Sequence, residues 1–317
     1  MAKQVQLPLC PERPKAACPA PGRTTRVTPA PVSRCRTAGQ AVGRHYRAAV
    51  CAELNQPLAI KEVAPRPVRP HEGDRVIGMI NFNAMAEECI TDQKTVWKIP
   101  EKVSLQEAAV LPVSYGTAIM ALEHRARIQP GETVLVTAAA GATGLAVIDV
   151  ATNVLQAKVI AAAGSDEKCK LAMQRGAQFS VNYTEGSLRE AVKKLVGDRR
   201  VHAAIDMVGG EVFLQALRSL AWEGRIVVLG FAGGNIASLP TNLLLLKNVS
   251  AMGMTLDLYR DRNIPLLYER LSSALQYCQQ GCLHPHVGRV FKLEEVNDAF
   301  VHVLQRKSTG KVLLSLK

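Results

Sequence analysis

The part of the chain with the clearest chemical content is Val134–Gly144, where a β-branched run leads into a glycine-containing turn and then into an apolar segment of helical period. In the pattern G-x-G-x-x-G, Ala139 replaces the first glycine, and Gly141 and Gly144 occupy the other two positions. Gly141 would let a diphosphate approach the backbone, and Gly144 would let the helix pack closely against the strand. The N–H groups of Ala142 and Thr143, at the helix start, would bind the phosphate oxygens. The stretch predicts a dinucleotide-binding turn; the alternative is a strand-to-helix turn that binds nothing.

The end of the next predicted strand indicates which dinucleotide would bind. A carboxylate at this position is typical of NAD proteins, because it accepts a hydrogen bond from the ribose 2′-hydroxyl. Ala163 and Gly164 stand there instead, and Lys168 follows with a positive charge. The sequence therefore favours NADPH over NADH. Asp166 is the opposing signal, either as a ribose ligand or as a helix cap, and Lys168 can also be a solvated helix charge.

The elements that must position this turn alternate between strand and helix. This alternation predicts an α/β fold with a doubly wound parallel sheet of the Rossmann type, covered by helices on both faces. The predicted strands are Thr133–Thr137, Lys158–Ala163, His202–Val208, Arg225–Gly230 and Val249–Met254, and the predicted helices are 144–157, 166–175, 187–196, 211–220 and 240–247. Towards the C-terminus we expect a helix near 264–280, a strand His286–Leu293, a helix 294–306 and a strand Val312–Leu316.

The segment before the turn has shorter predicted strands. Period-2 patterns predict strands in Tyr46–Asn55, Leu58–Val63, Asp74–Asn81 and Met85–Thr91. Ser104 with Glu107 three residues later is a capping-box pattern that starts a helix, and a further helix is predicted over residues 113–128.

Net charge is +12, but residues 1–50 contribute nine Lys/Arg and one acid, so +8 of it lies in this arm. Such an asymmetry argues against a nucleic-acid-binding surface. The Pro- and Arg-rich residues 1–45 predict a disordered arm. Its composition favours a mitochondrial transit peptide, although its prolines do not, and a cytoplasmic location is the alternative. No uncharged apolar stretch of membrane-spanning length occurs, so no membrane partner is expected. The eight cysteines show no metal-ligand spacing.

Four motifs together resemble the zinc-free, ζ-crystallin-like quinone oxidoreductases of the medium-chain dehydrogenase superfamily. They are Ala109–Ala118, the turn at 137–144, Gly224–Gly234 and Asn242–Asn248. The resemblance implies direct hydride transfer from NADPH to a quinone or an α,β-unsaturated carbonyl, with no metal. The catalytic side chain is left unknown, because in such enzymes the cofactor carries the chemistry.

The resemblance also implies roles for individual residues. Thr117 and Phe231 match positions that line the nicotinamide pocket, and Val208, followed by Gly209, matches the loop beneath the ribose. Four residues match the surroundings of the adenosine phosphate: Ser165, Lys168, Tyr183 and Arg306. Two of these residues have a simpler interpretation. Tyr183 could serve merely to pack at the rim of the sheet, and Arg306 could be a surface charge at a helix end.

The chain departs from this family in its first half. Relatives carry a block of motifs between the early strands and the segment beginning Gly73-Asp74-Arg75-Val76, and none of it is present here. We therefore divide the chain into the arm 1–45, a truncated, β-rich GroES-like catalytic domain 46–115, a Rossmann domain 116–256 and a returning segment 257–317. A domain that has lost strands should be disturbed, and Val312–Leu316 with it. An alternative function follows, namely an impaired family member that keeps only dinucleotide binding or dimerisation.

The strand Val249–Met254 predicts the assembly. It has no Lys or Pro to protect its backbone groups, and relatives pair two subunits through this strand. A homodimer is therefore expected.

Overall fold

The computed structural model describes residues 46–50, 56–63, 74–80 and 84–316. The predicted arm at residues 1–45, with its expected disorder and targeting role, lies outside the described residues.

A six-stranded, fully parallel sheet forms the centre of the fold, with strand order β10-β9-β8-β5-β6-β7. Successive residues of a strand point to opposite faces, and in β5 Leu135 faces one apolar cluster while Val134 and Val136 face the other. Both faces are therefore buried under helices. The strands are β5 Thr133–Val136, β6 Lys158–Ala163, β7 Phe179–Asn182, β8 Val201–Asp206, β9 Leu220–Val228 and β10 Ser250–Gly253.

The helices follow the strands along the chain. A long helix α1, Leu105–Arg125, precedes the sheet. The others are α2 Ala142–Val154, α3 Asp166–Gln174, α4 Leu188–Val196, α5 Gly210–Arg218, α6 Thr241–Lys247, α7 Leu256–Arg262, α8 Ile264–Gln279 and α9 Val296–Leu304. The predicted α/β doubly wound fold is thus confirmed. From β5 onward two elements were not predicted, the short strand β7 and the helix α7, because stretches of four and seven residues carry too little periodic pattern.

Helix α1 is continuous where the sequence predicted two pieces. Ser104 and Glu107 form the predicted capping box. The helix passes through Pro112 because residues Leu111–Tyr115 adopt a π-helical turn, and a π-helical turn rearranges the backbone hydrogen bonds that an interior proline would break. By length and composition α1 could cross a membrane, but 67% of its most apolar window is buried within the fold, as in the core helix of a soluble protein.

The part before α1 is small. Strands β1 (Tyr46–Val50) and β2 (Ala59–Val63) form an antiparallel pair, as do β3 (Val76–Gly78) and β4 (Val96–Lys98). The strand predicted at Met85–Thr91 is wrong. This segment makes only an isolated bridge between Ala86 and Ala48, because no second neighbour among the described residues extends the pairing.

The returning segment is better ordered than the sequence suggested. Strand β11 (Val287–Lys292) pairs in parallel with β12 (Lys311–Ser315), and α9 connects the two. The expectation that Val312–Leu316 would be disturbed is therefore wrong. One physical reason is that Gly310 N–H donates to Ala140 O at 2.9 Å, which attaches this strand to the glycine turn of the central sheet.

Candidate dinucleotide site and comparison with known proteins

The glycine turn lies at the carboxyl end of β5, and its two glycines have different roles. A Cβ on Gly144 would lie 2.4 Å from Ala138 O and 2.7 Å from Ala139 O, so only glycine permits this approach of helix to strand. A Cβ on Gly141 would meet nothing closer than Ala138 O at 3.3 Å. Its φ of −74° is also open to any residue. The space beside Gly141 is therefore available to a ligand.

Helix α2 begins at Ala142 without a side-chain cap. The N–H groups of its first turn, on Ala142, Thr143 and Gly144, have no acceptor within the helix. Together with the helix dipole they form a site for an anion such as a diphosphate. The four predicted turn residues are thus brought together by the backbone.

The predicted adenosine-phosphate residues meet at the ends of β6 and β7. Lys168 Nζ donates to Arg306 O at 2.8 Å, and the Ser165 hydroxyl caps α3 by accepting from Lys168 N–H at 3.4 Å. A Cβ on Gly164 would lie 3.4 Å from the Tyr183 hydroxyl. Burial raises the pKa of Tyr183, and the charge of Arg306 partly offsets this rise. The structure therefore brings Ser165, Lys168, Tyr183 and Arg306 into one cluster.

Asp166 does not cap helix α3, which was one of its two predicted roles. Ser165 is the capping residue, and Asp166 is the first residue of α3, where its carboxylate accepts from Asn182 Nδ2 at 3.1 Å. The capping interpretation of Asp166 is wrong, because the shorter serine side chain already occupies that role.

At the other end of the cleft a buried carboxylate holds the loop beneath the expected ribose position. Asp206 accepts from Thr137 Oγ1 at 2.7 Å and from Gly209 N–H at 3.0 Å. Val208 N–H also points to Asp206, at 3.4 Å. Burial raises the pKa of Asp206, and these hydrogen bonds oppose the rise. Thr137 and Asp206 thus connect the ends of β5 and β8, where the strand order reverses and where ligands bind in open α/β sheets.

The loop that follows β9 packs against this turn. A Cβ on Gly209 would lie 2.8 Å from Phe231 Cδ1, and Gly209 has a φ of +78°. Phe231 itself is 43% exposed. Thr117 lies half-buried on α1, and among the described residues no hydrogen bond fixes its hydroxyl.

Three residues of this region were not predicted: Thr137, Asp206 and Lys311. Lys311 follows Gly310, whose backbone forms a bridge with Gly141. Burial lowers the pKa of Lys311, and its ammonium has no hydrogen-bond or ion-pair partner within the described part of the chain. A half-buried cation without a counter-charge, on the residue that follows the one bridged to Gly141, suits a bound diphosphate. The Gly-Lys pair at the strand start was the available sequence signal.

Within the described ranges, no group of three or more His, Cys, Asp or Glu side chains could hold a metal ion. The described cysteines, Cys89, Cys169, Cys278 and Cys282, are all free.

A parallel doubly wound sheet with an uncapped glycine turn, preceded by a small β-rich part, is typical of the medium-chain dehydrogenases and reductases. A family model described as zinc-binding dehydrogenase matches residues 142–272. The chain is 64% identical to quinone oxidoreductase-like protein 2 of Mus musculus, covering 92% of this chain and 98% of the mouse protein. The chain belongs to the quinone oxidoreductase family of this class.

Solved structures agree with the assignment of the fold. A mycobacterial protein complexed with NADPH superposes with a TM-score of 0.71 and 29% identity, over 77% of this chain and 74% of that one. The CurK enoyl reductase superposes with a TM-score of 0.70 and 29% identity, over 81% and 76% of the two chains.

The mouse comparison also bears on the missing block. The match extends over 345 positions and takes in 92% of this chain, which is about 292 of its 317 residues. Roughly 50 positions of the match, 345 less about 292, therefore have no counterpart in this chain. A difference of this size supports the interpretation that the N-terminal domain is incomplete.

Proposed function

We propose that this chain is an NADPH-dependent reductase of quinones or α,β-unsaturated carbonyls, acting by direct hydride transfer without zinc. The observation that carries the proposal is the cluster of Ser165, Lys168, Tyr183 and Arg306 beside Gly164, at a strand end that has no carboxylate. A 2′-phosphate needs cationic and hydroxyl donors in this place, whereas a free ribose needs an acceptor.

The residues present fit such a cofactor along the whole cleft. The N–H groups of Ala142, Thr143 and Gly144 would bind the diphosphate, and Lys311, which follows the residue bridged to Gly141, would add a further cation. The Val208–Gly209 turn, held by Asp206, would support the ribose at the nicotinamide end.

When bound, NADPH supplies the hydride and its electron pair, which is why the chain needs no nucleophile of its own. The chain orients the ring: Phe231 and Thr117 would flank it, and the contact between Phe231 and Gly209 fixes one wall. The names of the relatives favour a quinone or an enone as the acceptor.

The alternative is a family member that binds the dinucleotide but reduces nothing. About 50 positions of the mouse relative are missing here. Residues 46–115 consequently form only two strand pairs within the described ranges. Loss of substrate-binding surface would leave the cofactor half intact.

Titration of the purified chain with NADPH and NADH, followed by nicotinamide fluorescence, tests the cofactor. We expect NADPH to bind at least tenfold more tightly, roughly the contribution of one or two charge-assisted hydrogen bonds. Lys168→Ala should remove most of this preference while leaving NADH binding unchanged. Equal affinities for both cofactors in the parent chain would contradict the proposal.

Gly141→Val tests the turn itself. Because a Cβ on Gly141 meets only Ala138 O, at 3.3 Å, and φ is ordinary, the variant should fold with at most a small fall in the unfolding midpoint and should lose NADPH binding. Gly144→Val is the contrasting variant, since its side chain collides with Ala138 O and should lower the unfolding midpoint. Normal NADPH binding by Gly141→Val would make the turn purely structural.

Reduction of a model quinone by the full chain with NADPH separates the two functions. Turnover supports the reductase, and tight NADPH binding without turnover of either a quinone or an enone supports the alternative.

Mitochondrial import through residues 1–45 is a separate proposal, which rests on their Arg-rich, acid-poor composition. A reporter fused to these residues should enter mitochondria, and a cytoplasmic reporter would refute it.

A further inference from the structure

A cavity of about 280 Å³, which the glycine turn itself does not line, lies beside the second and third turns of α2. Its size is close to the lower end of ligand pockets. The walls come from α1, α2, the end of α3 and the loop between α8 and β11, and the lining residues that matter are Tyr115, Asp149, Asn153, Gln174, Arg175, His284 and His286.

One side of the cavity is a closed hydrogen-bond network around a buried carboxylate. Asp149 accepts from the Tyr115 hydroxyl, from Asn153 Nδ2 at 2.7 Å and from His284 N–H at 2.7 Å. Burial and the neighbouring Asp149 charge raise the pKa of Tyr115, so its hydroxyl stays a donor. The charge of Asp149 is therefore already stabilised by three donors and does not need a cation.

The opposite side has a cation that lacks a counter-charge. Arg175, at the end of α3, is half-buried and its Nη2 contacts His286 Nδ1. Within the described part of the chain no carboxylate lies within ion-pair distance of this guanidinium. Since the contact with one imidazole nitrogen uses a single N–H, the remaining donors of the guanidinium are available to a ligand.

We infer that this cavity is a binding site for a small oxyanion, a carboxylate or phosphate group, held by Arg175 and His286. A planar guanidinium binds such groups through two parallel hydrogen bonds. The Asn153 and Gln174 amides supply further donors at the rim. The site lies outside the cofactor cleft, because none of the residues in the turn or in the Lys168 cluster lines it.

Binding at this site is linked to a proton. Without an anion, burial and the charge of Arg175 lower the pKa of His286, so the ring is neutral and accepts from Arg175. An anion offsets the charge of Arg175 and favours protonation of the ring. The added proton occupies Nδ1, which releases the Arg175 N–H from this nitrogen so that it can donate to the ligand instead. The other titratable groups of the cavity and of the elements packed against it are Glu107, Tyr115, Asp149, Arg175, Cys278, His284 and Lys311. His284 contacts Asp149 through its backbone N–H rather than through its ring. The affinity for the anion should therefore rise as pH falls.

Sulfate is the probe, because its charge is constant from about pH 5.5 to about pH 8, the range in which histidine titrates. The full chain is titrated with sulfate at constant ionic strength, and the unfolding midpoint is followed at both ends of this range. We expect the dissociation constant to be roughly tenfold lower at the acid end, since the bound anion gains one charge-assisted hydrogen bond.

Two variants identify the residues. Arg175→Gln should weaken sulfate binding at least about tenfold at either pH. His286→Gln keeps a side-chain acceptor but cannot take a proton, so it should bind at the alkaline affinity of the parent across the whole range. If Arg175→Gln folds poorly, the pH profile of His286→Gln still decides the question. No sulfate binding by the parent chain would overturn the inference.

Two control variants exclude other anion sites. Arg200→Gln alters a second basic cluster, formed with Arg189, Lys193 and Arg218 on the other face of the sheet. Lys168→Gln alters the adenosine-phosphate cluster. Both should leave the pH-dependent sulfate binding unchanged. If Arg200→Gln loses the pH-dependent sulfate binding, the anion binds at the surface cluster. If Lys168→Gln loses it, the anion binds in the cofactor cleft. Either result overturns the inference without affecting the proposed function.

Discussion

Asp206 is a fully buried carboxylate that has no cation partner among the described residues. A charge in this position is tolerated only because Thr137 and two backbone N–H groups solvate it. Its position at the strand end makes it a positioning residue for the Val208–Gly209 turn and, through Gly209, for Phe231.

Asp206→Asn should show this role. Asparagine has one accepting oxygen, so either Thr137 or Gly209 loses its acceptor, and the free energy of unfolding should fall by about 2 kcal/mol. NADPH affinity should fall roughly tenfold for the same lost bond, while the affinity for 2′,5′-ADP stays unchanged because the Lys168 cluster is at the other end of the cleft. Equal losses for both ligands would indicate general destabilisation. Thr137→Ser keeps the hydroxyl and serves as the control.

At the scale of elements, one ion pair joins the amino ends of the central strands to the end of α1. Arg225, on β9, pairs with Glu132 just before β5 and donates to Ala126 O at 2.7 Å. Burial raises the pKa of Glu132, but hydrogen bonds from Arg225 and from Gln129 N–H outweigh it and lower the pKa overall. Because the pKa of Glu132 in the folded state is below its ordinary value of 4.5, the ionised carboxylate stabilises the fold at pH values above 4.5. This stabilisation is lost as pH falls through the folded-state pKa.

Arg225→Met should reverse this dependence of stability on pH. It leaves Glu132 buried and unpaired, which should cost about 3 kcal/mol of unfolding free energy near neutral pH. The cost should shrink near pH 4.5, where the carboxyl can take a proton. Urea unfolding at both pH values measures it. Lys98→Met breaks an exposed pair and should change little. A constant cost for Arg225→Met at both pH values would contradict the explanation.

The edge strand β10 makes the predicted dimer testable. Met254 N–H donates to Val228 O at 3.1 Å, and alternate residues along a strand point their N–H groups to opposite sides. Met252 N–H therefore faces β9 inside the sheet, and Ala251 N–H faces the open edge. Ala251→Pro should convert a dimer into a monomer in sedimentation, since it removes a donor only from the outer edge.

Ser180→Pro is the matched control, because its N–H faces the open edge of β7 on the other side of the sheet. This orientation follows from Tyr183 N–H donating to Ala163 O at 3.1 Å. The control should remain dimeric. A monomeric parent chain at micromolar concentration would refute pairing through β10.

At the scale of the whole molecule, α9 presents an apolar face to solvent. Phe300, Val301 and Val303 are 44–47% exposed, and Leu304 is 78% exposed. An apolar patch of this kind favours self-association. The double variant Val301→Lys with Leu304→Lys should bind less of a hydrophobic dye and scatter less light at high concentration. Its NADPH affinity should equal that of the parent, and unchanged dye binding would show that the patch lies elsewhere.

The sequence predicted the central sheet, except for the short strand β7, because its other strands and its helices have long apolar patterns that are buried as expected. Lys168 was found both from the strand end that lacks a carboxylate and through family resemblance. Tyr183 and Arg306 were found only through the resemblance, since the bond between Lys168 and Arg306 spans 138 residues of chain. Asp206 and Lys311 were missed because a lone acid or lysine gives no periodic signal; their importance comes from burial. The strand expected at Met85–Thr91 failed because local pattern does not show whether a neighbour exists.

The attachment of Gly310 to Ala140, beside Arg306 and Lys168, affects how the protein is made. During synthesis the glycine turn emerges long before the residues near 306–311 that complete its surroundings. A cofactor molecule present at the ribosome therefore meets an unfinished pocket until almost the entire polypeptide has been translated. We expect NADPH to bind released chains and not ribosome-attached ones that stop near residue 300, so cofactor capture would be among the last steps of biogenesis.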